Sequence, residues 1–198
     1  MFTTDRLILR GMRDSDLNDL LNLYGDERVA PWVTEDYVVP KHENHKRWLI
    51  NWMESALLSC VIEEKLKDPF ASRFVGVIGF VAPADRKNRN AVLFITLSPD
   101  KWGKGYGFEA INFLVDYAFF DMGMHRVSLT AFEGNDRAIE LYRRIGFVEE
   151  GRHRKINWIK GAWRDTFYFG ILEDEWAEKK KQQAVTDGSR STRYEKNG

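Results

Sequence analysis

Three glycines stand on alternate positions in Ser98-Pro99-Asp100-Lys101-Trp102-Gly103-Lys104-Gly105-Tyr106-Gly107. Glycine adopts the left-handed backbone that turns successive N–H groups toward a common point. At the start of a helix, where the macrodipole adds partial positive charge, such N–H groups hold an anion. The chemistry open to this loop is the grip of a phosphorylated ligand, with Lys101 and Lys104 adding charge. The same spacing also fits a plain structural turn. Two other phosphate loops fail on the residues. Lys104 is followed by Gly105, where a kinase-type loop needs Ser or Thr. A dinucleotide fingerprint places its glycines after the first strand, whereas a run of strands precedes this loop, although Glu133 stands roughly where such a site has its acid.

Other reactive side chains are sparse. Cys60 is the single cysteine, which rules out an internal disulfide. It lies in the apolar run 57–62 and reads as a small buried hydrophobe rather than a nucleophile. His42, His45, His125 and His153 lack partners at metal-ligand spacing, so no metal site is expected. Lys+Arg and Asp+Glu are both 30, giving zero net charge. That speaks against bulk attraction to nucleic acid or an acidic membrane, and neither partner is expected. Residues 1–5 are too polar for a signal peptide, and no apolar run reaches transmembrane length. A soluble cytoplasmic protein is the expectation.

The loop needs elements to position it. Residues 92–97 before it read as a strand, and 108–120 after it as an apolar helix stopped near Gly123. Upstream, 7–10 is an opening strand. Asp14 or Ser15 then caps a helix with Leu17, Leu20, Leu21 and Tyr24 on one face, ended by Gly25. Trp48, Leu49, Trp52 and Met53 mark a second helix. Strands 57–63, 74–80 and 91–97 follow as an antiparallel meander. Downstream come a strand at 125–131, a short helix from Asn135 to the stop at Gly146, a strand opening at Phe147-Val148, a turn at Lys160-Gly161 and a closing strand at 167–172. The crossover through 108–120 makes strands 91–97 and 125–131 parallel. The layout is α/β of the α+β kind: one mixed, mainly antiparallel sheet flanked by helices. With 198 residues the chain suits one domain, 1–178. From Lys179 the sequence is charged without a periodic apolar face, and 179–198 reads as a disordered tail or cloning remnant.

The glycine loop together with Asn135-Asp136-Arg137-Ala138-Ile139-Glu140-Leu141-Tyr142-Arg143-Arg144-Ile145-Gly146-Phe147 closely resembles the GCN5-related N-acetyltransferase (GNAT) superfamily over residues 6–172. The opening Thr4-Asp5-Arg6-Leu7-Ile8-Leu9-Arg10 and the segments around Gly151-Arg152-His153 and Trp163-Arg164-Asp165 are most similar to its ribosomal-protein-alanine and polyamine acetyltransferase branch. The resemblance implies an acyl-CoA N-acyltransferase fold and acetyl-CoA as co-substrate. Its pyrophosphate loop falls on Trp102, Gly103, Lys104, Gly105, Tyr106 and Gly107. Gly105 and Gly107 match the signature, while Trp102 stands where Gln or Arg is commonest and reads as a side chain packed over the loop. The coenzyme would enter a V-shaped gap between the strands ending at Leu97 and starting near His125. Backbone at Leu97 would face the acetyl carbonyl, where negative charge develops. Asn135 would face the pantetheine arm or cap its own helix. Tyr142 matches a tyrosine that gives the departing thiolate a hydrogen bond or proton.

The reaction implied is direct acetyl transfer to a primary amine of a small molecule or a protein N-terminus, by a monomer or homodimer. Transfer of another short acyl group, and a non-catalytic acyl-CoA-binding module, are the alternatives. No residue stands out as general base. On the acceptor side the resemblance points to Trp32, Glu35, Asp36 and Tyr37 and to the late hairpin near Asp165, and His125 is a further candidate as a group titrating near neutrality. Aromatic faces beside carboxylates favour a polyamine or a basic N-terminus over a neutral sugar.

Overall fold

The computed structural model describes residues 1–33, 44–68, 72–81, 85 and 87–186. In chain order they form β1 (Phe2–Thr3), β2 (Leu7–Arg10), α1 (Leu17–Gly25), α2 (Asn44–Ser55), β3 (Leu58–Lys65), β4 (Ser72–Phe80), β5 (Asn90–Leu97), α3 (Tyr106–Phe120), β6 (Arg126–Phe132), α4 (Asp136–Ile145), β7 (Val148–Ile159), β8 (Ala162–Leu172) and α5 (Glu173–Thr186). The strands make one eight-stranded sheet in the order β1-β2-β3-β4-β5-β6-β8-β7. Every neighbouring pair is antiparallel except β5–β6, which the α3 crossover makes parallel. This is the mixed sheet expected of the GNAT fold.

Period-two alternation decides what each strand offers to either side. Leu7 and Leu9 of β2, Cys60 and Ile62 of β3 and Ile78 and Phe80 of β4 join Ala110, Ile111, Leu114 and Val115 of α3 and Ile139 and Ile145 of α4 in the larger core. Val61 and Val77 meet Leu20 and Leu23 of α1 and Leu49 and Met53 of α2 in a second core. Cys60 is 4% exposed, and burial pushes its thiol up to about 11, which leaves it unreactive at neutral pH. The turn between β7 and β8 has Lys160 at φ 48 and Gly161 at φ 79, the two left-handed residues of a type I′ hairpin.

Two readings of the sequence need correction. The start of α1 is set neither by Asp14 nor by Ser15. A single 3-10 turn, Asp14–Asp16, leads into it, and Asp16 accepts the Arg13 N–H at 2.7 Å and both terminal nitrogens of Arg10. Arg10 also pairs with Glu63, so this end of α1 is fastened to β2 and β3 by a buried ionic cluster. The chain also stays helical beyond Lys179, through Thr186. An apolar stripe is not what holds it. Trp176 is fully buried and donates its indole N–H to Asp116 (2.7 Å), Lys180 pairs with the same carboxylate (2.7 Å), and Lys179 donates to the carbonyls of Arg144 (3.1 Å) and Ile145 at the end of α4. A cation there is favoured by the helix dipole. Residues 187–198 lie outside the described residues.

Candidate active site

The sheet opens where the glycine loop follows it. β5 and β6 pair only at Asn90↔Arg126, Ala91↔Val127 and Val92↔Ser128. Beyond that rung β5 stays on β4 as far as Leu97, and β6 stays on β8 as far as Phe132. The facing edges of 93–97 and 129–132 diverge, leaving a gap that widens toward the C-terminal ends of both strands. Backbone groups along such an edge lack ladder partners and suit an extended, amide-bearing ligand.

The loop at the open end has the properties of an anion cradle. Gly103 and Gly105 lie at φ 73 and φ 82. The first helical N–H to reach a carbonyl is that of Glu109, on Gly105 (3.1 Å). Among the described residues the N–H groups from Gly103 through Phe108 therefore have no acceptor. Six donors at a helix N-terminus fit a diphosphate. Gly107 is small because the helices meet there: a Cβ on it would lie 3.0 Å from Leu141 Cδ2 and 3.4 Å from Leu97 Cδ1. Lys104 is exposed beside the cradle.

Lys101 is not. It is 2% exposed and pairs with Glu64 at the end of β3 (2.9 Å), whose other oxygen accepts the Tyr106 hydroxyl. Both side chains turn away from the cradle, so only the Tyr106 backbone faces a ligand, and the expectation that Lys101 adds charge there is corrected. A second tie comes from the N-terminus. Arg6 donates to the Lys104 carbonyl (2.9 Å) and to Glu109 on the first turn of α3 (2.7 Å), and Thr4 donates to the same carboxylate. The segment 4–10 thus shapes the loop from below, a contact across more than a hundred positions that sequence spacing does not reveal.

Glu64 gives this anchoring a pH dependence. The Lys101 ammonium, with the Tyr106 hydroxyl, holds its carboxyl down at about 2. A depressed carboxylate contributes stability above its ordinary value near 4.5, and that contribution fades as pH falls toward 2. Glu64→Gln is expected to melt about 3 °C or more below wild type at pH 7, with the difference shrinking below pH 4.5. Melting curves that keep a constant difference at every pH would remove Glu64 from this role.

Trp102 packs over the loop: its indole N–H donates to the Leu97 carbonyl (2.9 Å), and Arg137 of α4 lies 4.6 Å from its ring. Asn135 makes no side-chain cap hydrogen bond to α4, which leaves its amide for other partners. Tyr142 is 8% exposed in the larger core, beside Phe147 and Phe169. Its hydroxyl has no hydrogen bond among the described residues, and burial pushes its pKa up to about 12. The phenol is therefore protonated and available as a donor throughout the neutral range.

The acceptor-side residues divide. Trp32 lies against the β6–α4 loop, where a Cβ on Gly134 would sit 3.2 Å from its ring, and Lys160 at the hairpin tip is 5.7 Å from the ring centroid. The structure thus joins the early connection and the late hairpin at the end of β6 where the gap is widest. Glu35, Asp36 and Tyr37 lie outside the described residues. Asp165 is not an open acid: it is 4% exposed, pairs with Arg152 and accepts the Lys155 N–H (2.7 Å). That N–H, opposed by burial and aided by Arg152, holds its carboxyl below the usual range. His125 belongs to the opposite end of β6, at the closed vertex. Its N–H donates to Arg89 (2.8 Å) and its ring faces Glu173 (3.4 Å). At about 3.3 Å per strand residue it is roughly 20 Å from Ala131, too far to serve an acceptor at the mouth. Among the described residues no group of three or more His, Cys, Asp or Glu is placed to hold a metal ion, and no helix is long and apolar enough to cross a membrane.

Residues 6–148 match the family model described as an acetyltransferase (GNAT) domain. The chain is 32% identical over 182 residues to the SPbeta prophage-derived uncharacterized N-acetyltransferase YokL of Bacillus subtilis, covering 88% of this chain and 94% of that protein. It is 28% identical over 180 residues to the [ribosomal protein uS5]-alanine N-acetyltransferase of Escherichia coli, covering 88% and 91%. A crystal structure of spermidine N-acetyltransferase from Vibrio cholerae, in complex with CoA and spermine, shares the fold with a TM-score of 0.75 at 23% identity, covering 87% of this chain and 99% of that one.

Proposed function

The chain belongs to the GNAT acetyltransferase family, in its spermidine and ribosomal-alanine acetyltransferase-like branch, and on that premise we propose that it transfers acetyl from acetyl-CoA directly to a primary amine. The observation that carries the reading is the unsatisfied N–H cradle of Gly103–Phe108, opening onto the gap between β5 and β6. Acetyl-CoA, when bound, supplies an acetyl group activated as a thioester.

In this reading the backbone from Gly103 to Gly107 holds the diphosphate, with Lys104 adding charge. Asn135 and the free edges of β5 and β6 pair with the amides of the pantetheine arm. Backbone near Leu97 donates to the acetyl oxygen as negative charge develops there. Tyr142 donates its hydroxyl proton, as a hydrogen bond or outright, toward the departing sulfur. With its pKa at about 12, it stays a donor at any working pH. Cys60, buried in the core, forms no acyl intermediate. Trp32 and the hairpin tip border the incoming amine.

The test is release of coenzyme A thiol on mixing protein, acetyl-CoA and a panel of amines spanning polyamines, amino sugars, amino acids and N-terminal peptides, with products read by mass spectrometry. Amine-dependent thiol release with a gain of one acetyl group supports transfer. Tight acetyl-CoA binding with no release for any amine would assign the chain to a binding module, and release only with a longer acyl donor would change the group transferred.

A further inference from the structure

We propose that the acceptor is an acidic polypeptide, whose N-terminal amine enters beside Trp32 and whose following residues lie along the β7–β8 hairpin. The proposal rests on the acetyltransferase reading and names its substrate class. Positions 151–164 carry Arg152, Arg154, Lys155, Lys160 and Arg164 and no acid, in a chain whose net charge is zero. Of the acids that flank this run, only Asp165 neutralises one of its cations, Arg152, leaving Arg154, Lys155, Lys160 and Arg164. Glu149 and Glu150 are tied to Arg143 and Arg126, and Asp165 is committed to Arg152.

The cations are also arranged to meet a partner. The β7–β8 register shifts between His153 and Asn157, with Lys155 at φ 51, and the bulge presents an open, shallow surface lined by Arg152, His153, Arg154 and Lys155. Arg164, on the facing strand, has a buried Nε with no hydrogen-bond acceptor among the described residues. β7 is the outer strand of the sheet and is exposed along most of its length. Its outward edge offers backbone groups to an extended chain. Trp158 and Trp163, 59% and 57% exposed, add apolar area near the tip.

The hairpin tip is also the acceptor mouth, since Lys160 sits over Trp32. Along the hairpin a polycation meets like charge at Arg154, Lys155, Lys160 and Arg164, whereas an acidic segment meets complementary charge and a free strand edge. The proposal takes the opposite charge from the cationic acceptor suggested by Trp32, Glu35, Asp36 and Tyr37, the last three of which lie outside the described residues.

The experiment compares two octapeptides with the same N-terminal residue, one with acidic and one with neutral residues at positions 3–8, and spermidine. Each is assayed with wild type and with R154Q/K155Q, alongside fluorescence anisotropy of the labelled peptides without acetyl-CoA. The acidic peptide is expected to show a KM about tenfold below the neutral one at low salt, with the advantage shrinking as salt rises. R154Q/K155Q should remove most of that advantage and leave the KM for acetyl-CoA unchanged. A higher kcat/KM for spermidine than for the acidic peptide, or equal peptide constants in wild type and variant, overturns the proposal. So does a hairpin that binds an oligouridylate in preference to the peptide, or one buried in a dimer that peptide does not disturb. Acidic-peptide binding that R154Q/K155Q weakens, with no thiol release from any amine, would keep the docking surface and discard the transferase reading.

Discussion

Gly105→Val is expected to cut acetyl-CoA affinity at least about tenfold, equivalent to roughly 1.4 kcal/mol. Gly105 holds φ 82 at the N-cap of α3, a conformation that costs a side chain of L configuration about 1–2 kcal/mol and a β-branched one more. A Cβ there would also stand 3.1 Å from Arg6 Nη2, displacing the guanidinium that holds the Lys104 carbonyl (2.9 Å). Strain and displacement both act on the peptide units whose N–H groups form the cradle. Gly103→Ala is the matched control. Gly103 is also left-handed, at φ 73, but a Cβ on it meets nothing within 4 Å, so backbone strain alone remains and the loss should be smaller. Titration calorimetry on proteins shown by circular dichroism to be folded makes the comparison. Wild-type affinity in a folded Gly105→Val protein would sink the cradle.

Tyr142→Phe is expected to lower turnover about a hundredfold or more while acetyl-CoA affinity stays within about twofold of wild type. The two effects separate because the hydroxyl is needed only as charge leaves toward sulfur. Stability should not fall with activity. The hydroxyl makes no hydrogen bond among the described residues, and burial alone raises its pKa to about 12. Removing a hydroxyl that has no protein hydrogen bond leaves no partner unsatisfied and should cost little stability. Single-turnover rates, equilibrium binding and melting temperature on one preparation decide the matter. Unchanged turnover would assign Tyr142 to packing against Phe147 and Phe169.

Local signals carried the sequence reading a long way. Left-handed glycines stop α4 at Gly146 (φ 112) and follow α3 at Gly123 (φ 63), and consecutive apolar runs marked β3, β4 and β5 closely enough to give the meander. The parallel β5–β6 pair followed from a helix lying between two strands. What the sequence concealed is held by contacts between distant positions. Nothing in the composition of 179–186 shows that Lys179 would cap α4 or that Lys180 would share Asp116 with Trp176. Lys101 looks like a ligand-facing cation until Glu64, 37 positions away, claims it. Asp165 looks like a surface acid until the β7 bulge folds Arg152 and the Lys155 N–H onto it. His125 was placed with the acceptor on the general chemistry of an imidazole. Only the β5–β6 register shows that the gap closes at that end.

That register divides the sheet mechanically. β1 to β5 form one raft of five strands and β6, β8 and β7 another of three, spliced by three residue pairs and by the α3 crossover. A raft joint so short is where thermal opening should begin, and an amide-rich ligand lying between the rafts would act as the missing rungs. At a hundred times its Kd such a ligand stabilises the native state by about 2.7 kcal/mol. Hydrogen exchange of 93–97 and 129–132 should therefore slow more on adding acetyl-CoA than exchange anywhere else in the sheet. The enzyme's cohesion would then follow its coenzyme supply: a starved molecule is a loosely jointed one, with two interior strand edges exposed to pairing by other chains.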